Sequence, residues 1–350
     1  MSRKWIFWLE ELGREHSDQV GKKCANLGEM IRMGLKVPDG FALSVEAYTD
    51  FMEMTGAIHK IQEYLSNNYN EGKDLGQFNQ LSADIRQIIE GENMPKELEE
   101  TIVKHYRELC RRCNTSEVAV STRSAGPVSH PGQYETYLNV IGEFELIEKI
   151  KKVWASTFNP RSLASRNRKK IPLASDPIGV AVQKMVKSKA AGIIFTVDPN
   201  TGDASRMIIE ANWGLGESVV SGETLPDVYV LEKDTLEVKE KRLGLKSKYL
   251  TCGELGVTEV ETSPEKSSAF CLCDEELKEI GKLSKMIENH FGVPQDVEWA
   301  IDQDAPLPDS IVLLQARSEI IAQSKTTTDQ IIDLMLNRFS GGIGFSGGDI

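Results

Sequence analysis

Two segments near the carboxyl end alternate apolar and polar side chains, and they constrain the fold more than any other part of the chain. In residues 297–302, Glu298 is flanked by apolar residues that point to the opposite face of a strand. In residues 311–317, Gln315 and Arg317 alternate with apolar residues in the same way. If the intervening residues form a hairpin loop, Glu298 lies opposite Gln315 and the three polar side chains share one face. The pattern therefore predicts an antiparallel hairpin.

The polar face of this predicted hairpin carries a carboxylate, an amide and a guanidinium group. The oxygens of Glu298 and Gln315 can hold Mg²⁺, and Arg317 can hold the phosphate oxygens that the metal leaves uncovered. An exposed strand face with an ordinary surface ion pair has the same pattern. The hairpin alone does not separate these two interpretations.

A second candidate region follows the predicted strand at 118–122. Arg123 leads into a loop of glycine, proline and small polar residues that ends at Gly132, with Thr136 shortly after it. Backbone N–H groups and the Thr136 hydroxyl can bind phosphate there, with Arg123 supplying positive charge. A surface loop whose glycines serve only turns has the same composition. Lys23 adds a cation at a predicted helix start, where free N–H groups also attract anions.

The charge balance limits the classes of partner. The chain has 53 acidic and 41 basic side chains among 350 residues, so it is strongly acidic. Because a negative field repels polyanions, neither nucleic acid nor an anionic membrane is expected as a partner. No apolar run has the length of a membrane span or a signal peptide, and we expect a cytoplasmic protein. A phosphate-binding site in this chain would need a local concentration of Lys and Arg.

The residue pattern changes along the chain. Amphipathic helical spacing dominates up to about residue 113, whereas strand patterns dominate from residue 178. We therefore expect an α/β (α+β) fold with a helical N-terminal part and a strand-rich C-terminal part. Residues 321–350 contain a glycine-rich tail, which we interpret as a docking or linker segment.

Taken in order, these segments resemble the N-terminal nucleotide-binding domain of the phosphoenolpyruvate synthase and pyruvate phosphate dikinase family, a domain that rifampicin phosphotransferase shares. The similarity extends from about residue 20 to residue 318. Its most specific stretches are residues 23–30, 37–44, 132–140, 195–199, 214–217, 226–229, 294–300 and 314–317. Because so many segments match in order, the resemblance favours the metal-and-phosphate interpretation of the hairpin.

The resemblance implies an ATP-grasp-like fold in which ATP lies between two lobes, which we place at 1–190 and 191–320. It also implies Mg²⁺ as a cofactor and assigns a role to individual side chains. The phosphate-binding residues would be Lys23, Arg123, Gly132 and Thr136. Gln183 would border the adenine, Glu298 and Gln315 would lie next to the metal, and Arg317 would grip the terminal phosphate. Lys23, Arg123 and Arg317 would then be the catalytic cations, since neutralising the triphosphate is the main device of phosphoryl transfer.

The chain departs from the family pattern at Lys22, in the lengths of two loops (between Arg123 and Gly132, and between Glu298 and Gln315) and in its domain content. Lys22 stands where the family usually has glycine, so it could share or disturb the role of Lys23. Family members also continue into a domain with a phosphorylated histidine and then a substrate domain, and neither is evident here. The arrangement resembles phenylphosphate synthase, whose nucleotide-binding part is a separate subunit.

That resemblance implies an ATP-binding subunit that works with a histidine-bearing partner. ATP would give AMP and phosphate, and the β-phosphoryl group would pass through the partner's histidine to phenol, with pyruvate as the alternative acceptor. Two other functions stay open at this point. One is a stand-alone ATP-grasp ligase that forms an acyl phosphate, and the other is a non-catalytic nucleotide-binding regulatory subunit.

Overall fold

The structure, a computed structural model, combines helices with antiparallel sheets. It describes residues 4–70, 76–126, 134–254 and 256–319. Within these ranges the α/β prediction is confirmed by two large sheets, a small hairpin and the helices that pack on them. The predicted tail at 321–350 lies outside the described residues. None of the described helices is long and apolar enough to cross a membrane.

The first sheet is built from strands within residues 6–184, and all its neighbouring strands are antiparallel in the order β1-β2-β5-β3-β4. Its strands are β1 (Ile6–Trp8), β2 (Gly40–Leu43), β3 (Val120–Ala125), β4 (Thr136–Val140) and β5 (Gly179–Lys184). Phe41, Val120 and Val182 lie on the face that packs into a large apolar core. Because side chains alternate along a strand, Arg123 and Gln183 belong to the opposite face.

Most helices lie in the N-terminal half and cover the apolar face of the first sheet. The helices are α1 (Ser17–Val20), α2 (Lys22–Arg32), α3 (Val45–Met54), α4 (Ala57–Asn68), α5 (Gln77–Gly91), α6 (Lys96–Arg112), α7 (Glu143–Ala155), α8 (Pro160–Arg168), α9 (Glu217–Val220), α10 (Pro264–Ser267) and α11 (Asp274–Phe291). Helix α3 begins after Ser44, whose hydroxyl accepts a hydrogen bond from the Ala47 N–H at 3.2 Å. This cap satisfies one of the free N–H groups at the helix start.

The second sheet contains the predicted hairpin and has the order β13-β12-β6-β7-β8-β9, again antiparallel throughout. Its strands are β6 (Ser188–Phe195), β7 (Arg206–Trp213), β8 (Asp227–Glu232), β9 (Val238–Arg242), β12 (Gln295–Asp302) and β13 (Ile311–Ser318). A separate hairpin joins β10 (Lys248–Cys252) to β11 (Val257–Glu261).

Helix α2 belongs to the core of the second sheet although it lies near the N-terminus. Its apolar residues Leu27 and Met30 share a buried cluster with Trp299 of β12. The Asn26 side-chain amide also donates to the Ala316 carbonyl of β13 at 2.8 Å. The chain crosses from the first sheet to the second between β5 and β6, and the division into lobes at residue 190 stays a prediction.

Several strands fall where the sequence pattern predicts helix or loop. Strands β1, β2 and β4 are short, and every residue of β2 is buried, so no alternation of polar and apolar side chains marks it. Strands β10 and β11 are likewise absent from the sequence-based expectation. These strands form because tertiary pairing, rather than local propensity, decides the conformation of short segments.

Candidate functional site

The polar face of the β12–β13 hairpin has the predicted pairing. Glu298 lies directly opposite Gln315, and the Gln315 amide nitrogen donates to Glu298 Oε1 at 3.1 Å. Asp296 and Arg317 form the next pair on this face, two residues along each strand. The register shifts between Glu298 and Trp299, so an irregularity interrupts the ladder beside Glu298. Such bulges often re-aim a side chain next to a functional site.

Arg123 reaches this hairpin from the first sheet. It lies opposite Thr136 in the β3–β4 pairing, and its Nη1 donates to Glu298 Oε2 at 2.7 Å. The Arg123 and Glu298 side chains are only 16% and 14% exposed, so the ion pair is largely shielded from water. The pair joins the predicted phosphate region of the first sheet to the predicted metal-proximal residues of the second.

Lys23 lies in the first turn of α2, at a point where the helix closely approaches the end of β3. Gly21 has a φ of 82°, and a Cβ on it would lie 2.1 Å from the Ala125 carbonyl oxygen, so only glycine fits there. The Lys22 N–H donates to the Gly126 carbonyl at 3.2 Å. The Lys22 side chain is exposed, whereas Lys23 is half-buried. The structure therefore directs Lys23, and not its neighbour, toward the site.

The charges of these residues act on one another. Burial would raise the pKa of Glu298, but Arg123, Lys23 and Arg317 together lower it. Burial lowers the pKa of Lys23, and the positive charges of Arg123 and Arg317 add to this effect while Glu298 opposes it. The local concentration of cations that an ATP site requires is thus present within an acidic chain.

Asp296 also belongs to this cluster, although the sequence pattern over residues 297–302 omits it. Arg317 Nε donates to Asp296 Oδ2 at 2.5 Å, and Arg317 Nη2 contacts the same oxygen. Asp296 is 4% exposed, and its Oδ1 has no hydrogen-bond partner among the described residues. Burial raises the pKa of Asp296 to about 6, although Arg317 opposes the shift. The alternation that marks Glu298 also marks Asp296 once the strand is extended toward its N-terminal end.

The remaining predicted residues are placed as follows. Gln183 lies opposite Ser121 on the face of the first sheet that carries Arg123, and it is buried. Its amide nitrogen has no partner in the part of the chain that the structure describes. Thr136 is half-buried opposite Arg123. Gly132 lies outside the described residues.

The site offers few ligands for a metal ion by itself. No group of three or more His, Cys, Asp or Glu side chains within the described ranges could hold one. Mg²⁺, however, is commonly bound through one or two carboxylates together with substrate phosphates and water. Glu298 is kept ionised by its cationic neighbours, and rotation of the Gln315 amide would present its oxygen beside it. This donor set fits Mg²⁺ that arrives with a phosphate ligand.

The chain is similar to known proteins over most of its length. Residues 17–337 match the family model described as pyruvate phosphate dikinase, AMP/ATP-binding domain. The chain is 38% identical to a probable phosphoenolpyruvate synthase of Staphylothermus marinus over 91% of its length, and 40% identical to one of Archaeoglobus fulgidus over 85%. A third relative, the probable phosphoenolpyruvate synthase of Methanocaldococcus jannaschii, is 37% identical over 90% of the chain.

The coverage is unequal in the two directions. The chain spans 42%, 40% and 27% of the length of these three relatives, in the order Staphylothermus marinus, Archaeoglobus fulgidus and Methanocaldococcus jannaschii. The family match confirms the predicted ATP-grasp-like, nucleotide-binding fold. It also indicates ATP as the nucleotide of this domain.

Proposed function

Because the chain belongs to the family of the pyruvate phosphate dikinase AMP/ATP-binding domain, we propose that it is the ATP-binding part of a phosphotransferase that passes a phosphoryl group to a histidine on another polypeptide. One observation carries the proposal. Arg123 of the first sheet is paired with Glu298 of the second, and the charges of Lys23 and Arg317 act on the same carboxylate. A triphosphate held at this junction would contact cations from both sheets.

The proposed catalytic residues act by electrostatics. Lys23, Arg123 and Arg317 neutralise the charge that is redistributed when a phosphoryl group leaves ATP. The Thr136 hydroxyl is proposed to hold phosphate oxygens beside them, and the family resemblance assigns Gly132 the same role. To contact the terminal phosphate, Arg317 must give up part of its contact with Asp296. The Asp296 carboxyl can then take up a proton or accept a hydrogen bond from water at Oδ1, which has no partner among the described residues.

Gln183 is proposed to border the adenine from the first sheet. Its buried amide nitrogen lacks a partner among the described residues, and a polar group of the base could satisfy it. Glu298 and Gln315 are proposed to hold Mg²⁺ together with the phosphates. When bound, Mg²⁺ would neutralise phosphate charge and orient the triphosphate.

The proposed overall reaction converts ATP, water and an acceptor into AMP, phosphate and the phosphorylated acceptor, with water taking the γ-phosphoryl group. The β-phosphoryl group passes to a histidine of a partner subunit in the cytoplasm and then to phenol, as in phenylphosphate synthase. Pyruvate is the alternative acceptor, since the relatives are named probable phosphoenolpyruvate synthases. In this proposal the partner selects the final acceptor, since no described residue is assigned to bind it.

The proposal is tested by product analysis. The purified chain is incubated with Mg-ATP, with and without a histidine-bearing polypeptide, and AMP is resolved from ADP. AMP formed only with the partner supports the proposal. ADP formed by the chain alone, when a carboxylic acid is supplied, would indicate an ATP-grasp ligase. Binding of ATP without turnover in either setting would indicate a regulatory nucleotide-binding subunit.

A further inference from the structure

The β10–β11 hairpin is attached to the second sheet through β10. The Leu215 N–H donates to the Leu250 carbonyl at 2.8 Å, and the Asn212 side-chain amide donates to the Lys248 carbonyl at 3.0 Å. Gly214 has a φ of 66°, and a Cβ there would lie 2.1 Å from the Leu250 carbonyl oxygen. The hairpin thus lies tightly against the turn that precedes α9.

The tip of the hairpin is held by a residue of the first sheet. Asn139 of β4 is 5% exposed, and its Nδ2 donates to the carbonyls of Gly253 and Gly256 at 2.9 and 2.5 Å. These carbonyls lie on either side of the turn between β10 and β11. The two hydrogens of one amide therefore clasp the tip of the hairpin.

The backbone of β4 is distorted in a way that serves this contact. The β3–β4 register shifts between the pairs Val120↔Val140 and Thr122↔Tyr137, so β4 contains one extra residue. Asn139 lies in this bulge with a φ of 54°, in the left-handed region that asparagine tolerates better than most residues. The bulge removes Asn139 from the normal alternation of side chains along the strand.

Both attachments of the hairpin, at its tip and along β10, involve residues near the candidate site. Asn139 is three residues after Thr136, on the strand that pairs with Arg123. On the side of β10, α9 begins at Glu217, just after the turn that contacts Leu250. Burial raises the pKa of Glu217, and the nearby Arg123 opposes the shift. The hairpin therefore links two regions near Arg123, β4 and the turn before α9, in addition to the link made by the Arg123–Glu298 ion pair.

We infer that Asn139 is a positioning residue, which clasps the β10–β11 hairpin to β4 and thereby couples the hairpin to nucleotide bound beside Thr136 and Arg123. The coupling to nucleotide rests on the proposed function, whereas the two hydrogen bonds of Asn139 to the hairpin do not depend on that proposal. Linkage requires the coupling to be reciprocal. Nucleotide should slow the opening of the hairpin, and a hairpin without its clasp should bind nucleotide more weakly.

Hydrogen exchange of the β10 and β11 amides tests the inference in three proteins. Asn139→Asp keeps the shape and the tolerated backbone but loses both donor hydrogens and places a carboxylate against two carbonyl oxygens. Asn114→Asp is the matched control, since Asn114 also has a positive φ (52°) but is exposed on a turn after α6. Asn139→Gly replaces Asn139→Asp if the latter does not fold.

We expect exchange in the hairpin to be about tenfold faster in Asn139→Asp than in the wild type, because two hydrogen bonds are lost. Mg-ATP should slow this exchange in the wild type and in Asn114→Asp but not in Asn139→Asp, whose affinity for ATP should fall severalfold. Unchanged exchange in Asn139→Asp without nucleotide overturns the clasp. ATP binding that leaves hairpin exchange unchanged in the wild type overturns the coupling, and the proposed function survives. A wild type that binds no ATP refutes the proposed function, and the exchange without nucleotide still decides the clasp.

Discussion

Two buried clusters of opposite charges differ in how completely their hydrogen bonds are satisfied. In the first, Asp227 and Lys246 have side chains with no exposure at all, and Lys246 Nζ contacts Asp227 Oδ1. The same oxygen accepts from the Gly244 N–H at 2.8 Å, while Oδ2 accepts from the Cys271 N–H at 2.9 Å and the Tyr229 hydroxyl at 3.2 Å. Both oxygens of this carboxylate are fully used.

The second cluster is the candidate site, and it is incomplete. Arg123 Nε, Asp296 Oδ1 and Gln183 Nε2 are all buried without a hydrogen-bond partner among the described residues. Buried polar atoms are nearly always paired in native structures, so unpaired ones indicate a place that a ligand, ion or water completes. The comparison teaches that burial of charge does not by itself mark a functional site. The candidate site differs from the Asp227 cluster because it leaves polar atoms of its charged residues unpaired.

The largest expected effect comes from Arg317→Ala. In the assembled enzyme, removal of this guanidinium should lower the rate of AMP formation by about 10³ or more, as loss of a charge-stabilising arginine does in other phosphoryl transfers. The fold should tolerate the change, because the raised pKa of Asp296, about 6, allows that acid to take up a proton once its partner is gone. Turnover and thermal unfolding are measured on the same preparation. Near-normal turnover would make the hairpin a structural element like the Asp227 cluster.

The opposite outcome is expected for Asp227→Asn. This change leaves the Lys246 ammonium buried without its counter-charge, which should lower the free energy of unfolding by about 3–5 kcal/mol. Urea denaturation measures the loss. Glu237→Gln is the control, since Glu237 pairs with Lys239 at 2.7 Å in an exposed setting and its removal should leave the stability nearly unchanged. Equal effects of the two substitutions would contradict the structural role of the buried pair.

The third prediction separates two adjacent lysines. Lys23→Ala should weaken Mg-ATP binding by about tenfold to a hundredfold, since a charge-assisted contact to phosphate is worth about 1.5–3 kcal/mol. Lys22→Ala should change the affinity less than threefold, because its side chain is exposed. Calorimetric titration with Mg-ATP measures both. A larger loss in Lys22→Ala would mean that the second lysine, and not the first, contacts the nucleotide.

Sequence patterns anticipate parts of the site to different degrees. The pairing of Glu298 with Gln315 follows from strand alternation together with a hairpin loop between the two segments. The ion pair between Arg123 and Glu298 joins residues 175 positions apart, and no local pattern reports such a contact. Asp296 escapes the pattern because the apolar run that marks β12 begins one residue after it. Resemblance alone does not sort functional from structural residues, since the stretch around Asp227 matches the family as well as the hairpin does.

The fold is predictable at the level of its class but not of its topology. Long amphipathic helices such as α6 have a clear 3.6-residue period, and alternating strands such as β12 have a clear period of two. Helix α2 packs on the second sheet although the sequence places it in the N-terminal half. That assignment depends on a close approach at Gly21 and on core packing, neither of which is encoded in periodicity.

The smallest expected effect is a pH dependence of stability, which tests whether the candidate site is less completely hydrogen-bonded than the Asp227 cluster. Glu319 lies beside Asp296 and Arg317, its Oε2 is buried without a partner in the described structure, and burial raises its pKa to about 7. A carboxyl whose folded pKa exceeds its unfolded pKa stabilises the fold while protonated, and that stability is lost as pH rises from about 4.5 through 7. Between pH 5 and pH 8, the free energy of unfolding of the wild type should therefore fall by about 1–2 kcal/mol relative to that of Glu319→Gln. The effect is smaller than the full pKa shift implies, because part of the Glu319 side chain is exposed to solvent. Urea denaturation across this range measures the difference. If the two proteins keep a constant difference over this range, Glu319 already has a partner, and the site would be as complete as the Asp227 cluster.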